Sequence, residues 1–215
     1  MNTITLDKPL NLACSLESGQ FFQWQRYEAG YVLQSGLRIF YLEHQENTLR
    51  YESISGAIDE AFLRSFFRME DDISVIFHPW RHDSLLMKAY SQFEGLRLLR
   101  QEPWDCLVSF LCSAASNIPR ITSNIRTLSD RFGVRYVQDG RRWSTLPTPE
   151  QLADVHLQAL YDAGLGFRAK YLWGIVDQVR NGFHLESLSA LSYPEAKTEL
   201  MTLPGVGDKI ADCVL

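Results

Sequence analysis

The chain has 215 residues, of which 46% are hydrophobic and 22% charged, and its formal net charge is −5. This is the composition of an ordinary globular protein, and no run of about 18 apolar residues indicates a membrane span. Residues 1–8 lack the basic and apolar regions of a secretory signal, and the four cysteines lack the spacing of a zinc site or a disulfide framework, so we expect an intracellular protein with reduced thiols.

The first third of the chain carries strand patterns. Residues 23–27 and 48–52 alternate in polarity, and residues 31–42 are rich in β-branched and aromatic side chains. The segment 28–30 is suited to close a hairpin, and Gly36 to make a turn or a bulge. These patterns predict an antiparallel sheet with one face in solvent.

From residue 58 onward the apolar residues follow helical spacing. The first such segment, Asp59 to Phe67, places acidic residues ahead of apolar positions three and four apart. Further helices are predicted over 83–93, 103–115, 118–132, about 150–163, 168–180 and 193–201. We therefore expect an α+β protein, with an antiparallel β-rich domain over residues 1–85 and an all-helical domain over residues 86–215.

The charges are distributed unevenly along the chain. Residues 1–90 hold 8 Lys and Arg against 12 Asp and Glu, whereas residues 93–143 hold eight arginines against five acids. A basic middle can present one cationic face to phosphates even when the chain is acidic overall. Solvated surface arginines would give the same counts, so charge alone does not choose between the two interpretations.

The segment 203–209, Leu-Pro-Gly-Val-Gly-Asp-Lys, predicts a tight turn between two helices. Gly205 and Gly207 let the backbone approach another surface closely and expose N–H groups, and the helix that begins near Asp208 adds its positive end. This arrangement predicts a phosphate-binding turn that needs no base contact. A bare pair of glycines would equally fit a turn that serves only packing.

The string from Leu203 to Leu215 resembles the helix-hairpin-helix of the DNA glycosylase superfamily, and a lysine at the position of Lys209 marks the members that also cleave the strand. Residues 16–24, 95–120 and 164–171 resemble the 8-oxoguanine branch, in the family's order and at similar separations. The resemblance covers nearly the whole chain. It implies a TATA-binding-protein-like N-terminal β domain and a helical helix-hairpin-helix glycosylase domain that is incomplete at its C-terminus.

The resemblance implies a base-excision-repair glycosylase that flips 8-oxoguanine out of duplex DNA, excises it and cleaves the strand as an AP lyase. The implied partner is double-stranded DNA containing 8-oxoguanine; no metal or cofactor is implied, and we expect a monomer located with the DNA. Lys209 is the implied catalytic nucleophile, whose amine displaces the base and forms a Schiff base. Because a free lysine is protonated at neutral pH, desolvation beside a helix N-terminus must favour the neutral amine.

The resemblance also assigns contacts to DNA and to the lesion. Phe167 is implied as a wedge in the opened stack, with Arg168 and Arg120 facing the orphaned partner base. Gly19 is implied to read the N7 proton of 8-oxoguanine through its carbonyl, and Cys213 to pack on the flat face of the lesion. The remaining DNA-binding residues implied are Asn117, Gly205, Val206 and Gly207.

Two features depart from the family's pattern. Ala115 stands where the family carries an asparagine that fills the place of the extruded base, so we expect weaker discrimination for cytosine opposite the lesion. The family's catalytic aspartate and final pocket helix follow the hairpin, and the sequence stops at Leu215 before them; we expect the C-terminal end to be missing. Asp208 and Asp212 lie too near Lys209 to be assumed substitutes. These 215 residues alone are therefore expected to have little glycosylase activity and marginal stability.

Two alternative functions stay open. One is a related glycosylase for alkylated bases or oxidised pyrimidines; Lys209 argues against the alkyl-base branch, and Gly19 with residues 164–168 against the pyrimidine branch. The other is a non-catalytic module that uses the hairpin only to clamp DNA. Borohydride trapping separates a clamp from an amine nucleophile, because only the nucleophile leaves a covalent adduct.

Overall fold

The computed structural model describes residues 1–215 as two compact units. The first unit comprises residues 1–33 and 40–101, and the second comprises residues 34–39 and 102–215. The predicted division into domains at residues 85 and 86 stays a prediction. Apart from residues 34–39, the two compact units divide the chain between residues 101 and 102. None of the helices has the length and hydropathy that a membrane span needs.

A five-stranded sheet forms the first unit's scaffold. Its strands are β1 (Asn2–Thr5), β2 (Trp24–Tyr27), β3 (Gly30–Ser35), β4 (Arg38–Gln45) and β5 (Thr48–Ser55), in the spatial order β1-β5-β4-β3-β2. β1 pairs antiparallel with β5, Ile4 opposite Leu49, and β2 pairs antiparallel with β3, Trp24 opposite Leu33. The antiparallel sheet predicted from the strand patterns is confirmed.

The central strands of this sheet are more deeply buried than their patterns indicated. β3 is buried along its whole length, and β4 buries five consecutive residues from Ile39 to Glu43. Such runs are typical of strands that are covered on both faces, so the expectation of one face in solvent is wrong for these two strands. Alternation survives at β1, where only Ile4 is buried.

The first unit also has four short helices, and the second of them buries the Phe66 ring in the core. They are α1 (Leu12–Glu17), α2 (Glu60–Phe66), α3 (Ile73–Phe77) and α4 (Ser84–Gln92), with a 3-10 helix over His78–Trp80. The ring of Phe66 lies 5.7 Å from that of Phe21 and 5.1 Å from that of Phe67. Asp59 and Asp83 cap α2 and α4 with their side chains, so the acidic helix starts predicted at these positions are confirmed.

The second unit is mainly helical. Its helices are α5 (Pro103–Ser113), α6 (Ile118–Phe132), α7 (Pro149–Leu152), α8 (Leu157–Asp162), α9 (Arg168–Arg180), α10 (Tyr193–Leu200) and α11 (Asp208–Val214), with a 3-10 helix over Leu185–Ala190. α5 lies at the centre, packs against α6, α9 and α11, and buries Leu107, Leu111 and Cys112 completely or nearly so. Helix bounds predicted at Ile118, Phe132, Arg168 and Arg180 are confirmed.

One short hairpin interrupts the helices of the second unit. β6 (Arg135–Gln138) and β7 (Arg141–Ser144) pair antiparallel around a turn in which Asp139 and Gly140 have φ of 51° and 74°. The helix predicted over about 150–163 is in fact two helices, α7 and α8, and a capping box between Thr148 and Gln151 stabilises the start of α7.

A buried carboxyl holds the β3–β4 turn within the second unit. The Asp105 carboxylate, in the first turn of α5, accepts hydrogen bonds from the Gly36 N–H at 2.7 Å and from Gln34 Nε2 at 3.0 Å. Burial raises the pKa of Asp105 to about 7, against the lowering effect of those two hydrogen bonds. The turn is thus tied to α5 by a carboxyl that is close to protonation at neutral pH.

Candidate functional site

Residues 203–207 form the predicted tight turn between α10 and α11. Gly205 has φ of 77°, and the buried Val206 donates its N–H to the Leu203 carbonyl at 3.1 Å. The N–H groups of Gly205 and Gly207 donate to no acceptor in the chain, and both glycines are exposed. The turn therefore presents two free backbone donors, which suits an anion.

Lys209 lies in the first turn of α11, directly after this turn. Its side chain is exposed and makes no hydrogen bond or ion pair within the chain. The amine is therefore free to reach an atom outside the chain.

The two aspartates that flank Lys209 are both paired with Lys197 of α10. The Lys197 amine lies 2.7 Å from Asp212 Oδ1 and 3.2 Å from Asp208 Oδ1, and the Tyr193 hydroxyl donates to Asp212 at 2.5 Å. The hydrogen bonds from Lys197 and then Tyr193 lower the pKa of Asp212, so its carboxylate is ionised at neutral pH. Asp212 thus braces α11 against α10.

The turn rests on one face of α9. A Cβ added at Gly205 would lie 2.5 Å from the Cγ and Cδ2 atoms of Tyr171, so only glycine allows this approach. One helical turn further along, a Cβ at Gly174 would lie 3.1 Å from Pro204 Cγ. Sequence analysis did not single out Tyr171; its position four residues after Phe167, on the same helix face, is the signal that indicates it.

Phe167 begins α9 at the end of a glycine-rich loop. Gly164 and Gly166 have φ of 85° and 58°, and the Phe167 side chain is 50% exposed. The ring therefore lies at the exposed tip of this loop. An exposed aromatic ring on a glycine loop is available for stacking on a base.

Arg168 is placed differently from the expectation that it faces a partner base. Its side chain is 2% exposed, and its guanidinium donates to the carbonyls of Ala114, Ala115 and Leu165, with Nε 2.9 Å from Ala114 O. The last carbonyls of α5 have no partner within the helix, and the charged donors satisfy them. In this structure Arg168 caps α5, and its donors are not free for a base.

The loop 114–117 and the first turn of α6 carry three further residues of interest. Asn117 caps α6 by accepting the Arg120 N–H at 3.0 Å, and the exposed Arg120 guanidinium makes no bond within the chain. Ala115 is exposed and has φ of 47°, a left-handed conformation that asparagine adopts more readily than alanine. Of the two arginines assigned to the partner base, only Arg120 is free in this structure.

The two residues assigned to the lesion, Gly19 and Cys213, belong to different units. Gly19 follows α1 with φ of 84°, beside Gln20, whose amide donates to the Arg97 carbonyl at 2.9 Å and accepts the Leu99 N–H at 2.9 Å. The loop backbone at Gly19 is therefore held in place through its neighbour. Sequence analysis did not assign Gln20 this role.

Cys213 lies half-buried on α11, and its carbonyl accepts a hydrogen bond from the Cys106 thiol at 3.5 Å. Burial raises the pKa of Cys106 to about 12, so that thiol stays protonated and unreactive. All four cysteines are free, and residues 1–215 contain no group of three or more His, Cys, Asp or Glu that could hold a metal ion.

Comparisons with known proteins agree with this geometry. Residues 3–107 match the family model of the 8-oxoguanine DNA glycosylase N-terminal domain. A Saccharomyces cerevisiae N-glycosylase/DNA lyase is 28% identical over 95% of this chain and 62% of its own length. A solved structure of MBOgg1 in complex with a low-affinity DNA ligand superposes with a TM-score of 0.92, at 30% identity over 99% of this chain and 74% of that one.

A solved structure of the Clostridium acetobutylicum 8-oxoguanine glycosylase/lyase, without DNA, has a TM-score of 0.89 and 30% identity, over 96% of this chain and 73% of that one. The chain belongs to the 8-oxoguanine DNA glycosylase family. It spans less than two thirds, 62%, of the length of the curated yeast relative.

Proposed function

We propose that the protein is a base-excision-repair DNA glycosylase with AP lyase activity, which removes 8-oxoguanine from duplex DNA. The observation that carries the proposal is the free amine of Lys209, one residue after a turn with two unpaired N–H donors. An amine beside an anion-binding turn can meet a sugar whose phosphate the turn holds. Membership of the family supports the same assignment.

The proposed chemistry uses Lys209 as the nucleophile. Its neutral amine attacks C1′ of the flipped nucleotide, the C1′–N9 bond breaks, and the base leaves with that electron pair and takes a proton. The attached amine loses a proton, the C1′–O4′ bond breaks, O4′ takes a proton, and the lysine nitrogen and C1′ become a protonated Schiff base. Loss of a C2′ proton then breaks the C3′–O bond, and the strand is cleaved by β-elimination.

The proposed DNA interface combines contacts to the backbone and to the bases. The N–H groups of Gly205 and Gly207, together with Val206 between them, would hold a phosphate without reading sequence. Phe167 would fill the opened stack, and the free guanidinium of Arg120 would face the partner base, with Asn117 beside it. Arg168 would act by holding the Ala114–Ala115 backbone that borders this site.

The proposed lesion contacts are Gly19 and Cys213. A carbonyl at Gly19 would accept a hydrogen bond from the N7–H that 8-oxoguanine has and guanine lacks. Cys213, one turn after Lys209 on α11, would offer a polarizable sulfur to the face of the base. We further propose that the protein acts as a monomer, where the DNA lies, and without a metal or cofactor.

Product analysis on defined duplexes tests this function. The purified full-length protein, including any residues that follow Leu215, is incubated with duplexes that carry 8-oxoguanine, a methylated purine, an oxidised pyrimidine or an intact guanine at one position. We expect release of the base and strand cleavage on the 8-oxoguanine duplex at least tenfold faster than on the others. Preference for a methylated purine or an oxidised pyrimidine would favour the related glycosylases instead.

The second candidate, a clamp that binds DNA without chemistry, is favoured by the two unpaired N–H donors of the turn, which can hold a phosphate without any reaction. A clamp would bind all four duplexes with similar affinity and leave them intact. Tight binding to duplexes that contain an abasic site, together with an adduct after borohydride reduction, would exclude it.

A further inference from the structure

Tyr171 contacts both the proposed wedge and the hairpin. It lies in the first turn of α9, and its ring centroid is 6.0 Å from that of Phe167 in an edge-to-face arrangement. On its other side the same ring lies against the backbone of Gly205, at a distance that leaves no room for a side chain there. One residue therefore lies between the ring that would enter the DNA stack and the turn that would hold a phosphate.

The Phe167 ring is held from a second direction by Arg168. The Arg168 guanidinium carbon lies 4.6 Å from the centroid of the Phe167 ring, close enough for a cation–π contact. Arg168 is itself fixed, because its donors are bonded to the carbonyls of Ala114, Ala115 and Leu165. The half-exposed ring thus has two supports, one on α5 through Arg168 and one on the hairpin through Tyr171.

The contact between α9 and the hairpin extends beyond Tyr171. Gly174, three residues further on and on the same helix face, packs closely against Pro204. Two glycines, one on the helix and one in the turn, permit this close approach. Because a helix is rigid over one turn, the spacing between Phe167 and Gly205 is set by the packing of α9.

We propose that Tyr171 is a positioning residue that fixes the wedge Phe167 at a set distance from the phosphate-binding turn 203–207. This inference rests on the proposed function. Opening a base pair requires the wedge and the phosphate-binding turn to contact the same nucleotide at the same time. The groups of such a site must be held within about 0.5 Å of their working positions. Without the Tyr171 ring the hairpin would still bind the backbone, but the wedge would be free to turn away from the stack.

The test measures binding and stack opening on one duplex. The duplex carries a tetrahydrofuran abasic analogue next to 2-aminopurine, whose fluorescence rises when its stacking is lost. Titration gives the dissociation constant, and the plateau at saturation gives the extent of opening in the bound state. The variants are Tyr171→Ala and Tyr171→Phe, with Trp173→Ala as the matched control, since Trp173 is an exposed aromatic on the same helix.

We expect Tyr171→Phe and Trp173→Ala to reach the wild-type plateau. Tyr171→Ala should lose at least half of the plateau at saturating protein, with a dissociation constant raised less than tenfold. A side chain that only stabilises the fold would lower the melting temperature and the affinity but leave the plateau unchanged. Phe167→Ala should lower the plateau in the wild type and change it little in the Tyr171→Ala background.

A wild-type plateau for Tyr171→Ala overturns the inference and leaves the proposed function standing. If the wild type itself gives no rise on the abasic duplex over an undamaged one, the proposed function fails, and the inference with it. Should Tyr171→Ala fail to fold, Tyr171→Leu takes its place, because it keeps apolar bulk but removes the flat ring; a wild-type plateau for that variant is equally decisive against the inference.

Discussion

The guanidinium of Arg168 and the carbonyl of Ala114 join the start of α9 to the end of α5. Nε lies 2.9 Å from the oxygen, and Nη2 donates to the same atom. Arg168 is the first residue of α9, directly after Phe167, so this bond ties the proposed wedge to α5, the most buried helix of the second unit. A residue expected to read DNA is thus, in this structure, part of the support beneath the site.

Removing the Arg168 guanidinium should destabilise the second unit. Arg168→Met keeps the length of the side chain but leaves the Ala114 carbonyl without its charged donor, and we expect the free energy of unfolding to fall by about 2–3 kcal/mol. Urea denaturation measures the loss, and Arg126→Met, an exposed arginine on α6, serves as the control. If Arg168→Met unfolds like the wild type but binds DNA more weakly, the capping role is wrong and the direct contact is right.

Asp105 should make stability depend on pH in the direction opposite to most aspartates. Burial raises its pKa from 3.8 in the unfolded chain to about 7 in the fold, so its contribution is fully present below pH 3.8 and is lost as pH rises towards 7. The free energy of unfolding should fall by about 1.4 kcal/mol per pH unit across this window and level off above it.

Asp105→Asn should remove that slope, because asparagine does not titrate. The measurement is urea denaturation of both proteins between pH 5 and pH 8, with Asp154→Asn as an exposed control. The difference in the free energy of unfolding between the wild type and Asp105→Asn should change steadily with pH below about pH 7. A difference that stays constant over the whole range contradicts a raised pKa at this carboxyl.

Ala115 is strained and lacks an amide. A non-glycine residue in the left-handed region costs about 1–2 kcal/mol, so Ala115→Gly should stabilise the protein by about 1 kcal/mol.

Ala115→Asn should place hydrogen-bonding groups near the partner base and add about 1–3 kcal/mol of preference for cytosine. Binding and cleavage on duplexes with each of the four opposing bases check this, and a strict cytosine requirement in the wild type would refute it.

Gly205 and Gly207 provide a matched pair that separates packing from DNA binding. Gly205→Ala meets both a positive φ and the Tyr171 ring, and should lower the free energy of unfolding by about 1–3 kcal/mol. Gly207 has an extended backbone, with φ of −104°, and open space around it, so Gly207→Ala should change stability by less than about 0.5 kcal/mol.

DNA affinity gives the other half of that comparison. If the turn holds a phosphate, the methyl group of Gly207→Ala obstructs its approach and affinity falls although stability does not. Wild-type affinity in Gly207→Ala would instead mean that the turn serves only packing. Filter binding at several salt concentrations measures the affinity, since a lost phosphate contact also reduces the salt dependence.

Strong local signals made much of this fold predictable. α6 begins and ends where apolar spacing indicated, and the turn at 203–207 lies where its glycines indicated. The β6–β7 hairpin was missed although Asp139-Gly140 is a strong turn signal, because arginines on both sides masked the alternation. The short elements β1 and α1 gave too few residues for a period to be read.

The arrangement around Arg168 was not predictable from sequence. The sequence shows that position 168 is an arginine. Only the packed structure shows that the unpaired carbonyls at the end of α5 lie within its reach. The same holds for Tyr171. Its contact with Gly205 joins two residues that are 34 positions apart in the sequence, by the difference between 205 and 171. Contacts between distant segments set these roles, and local periodicity does not report them.

Borohydride trapping of Lys209→Gln tests the central claim most directly. On a duplex with an abasic site, the wild type and the control Lys170→Gln should each leave a covalent protein–DNA adduct after reduction, because the Lys209 amine forms a Schiff base with the sugar aldehyde. Lys209→Gln should bind the duplex within about threefold of the wild type, on the order of 0.6 kcal/mol, and leave no adduct. An adduct at wild-type yield in Lys209→Gln would show that another amine is the nucleophile.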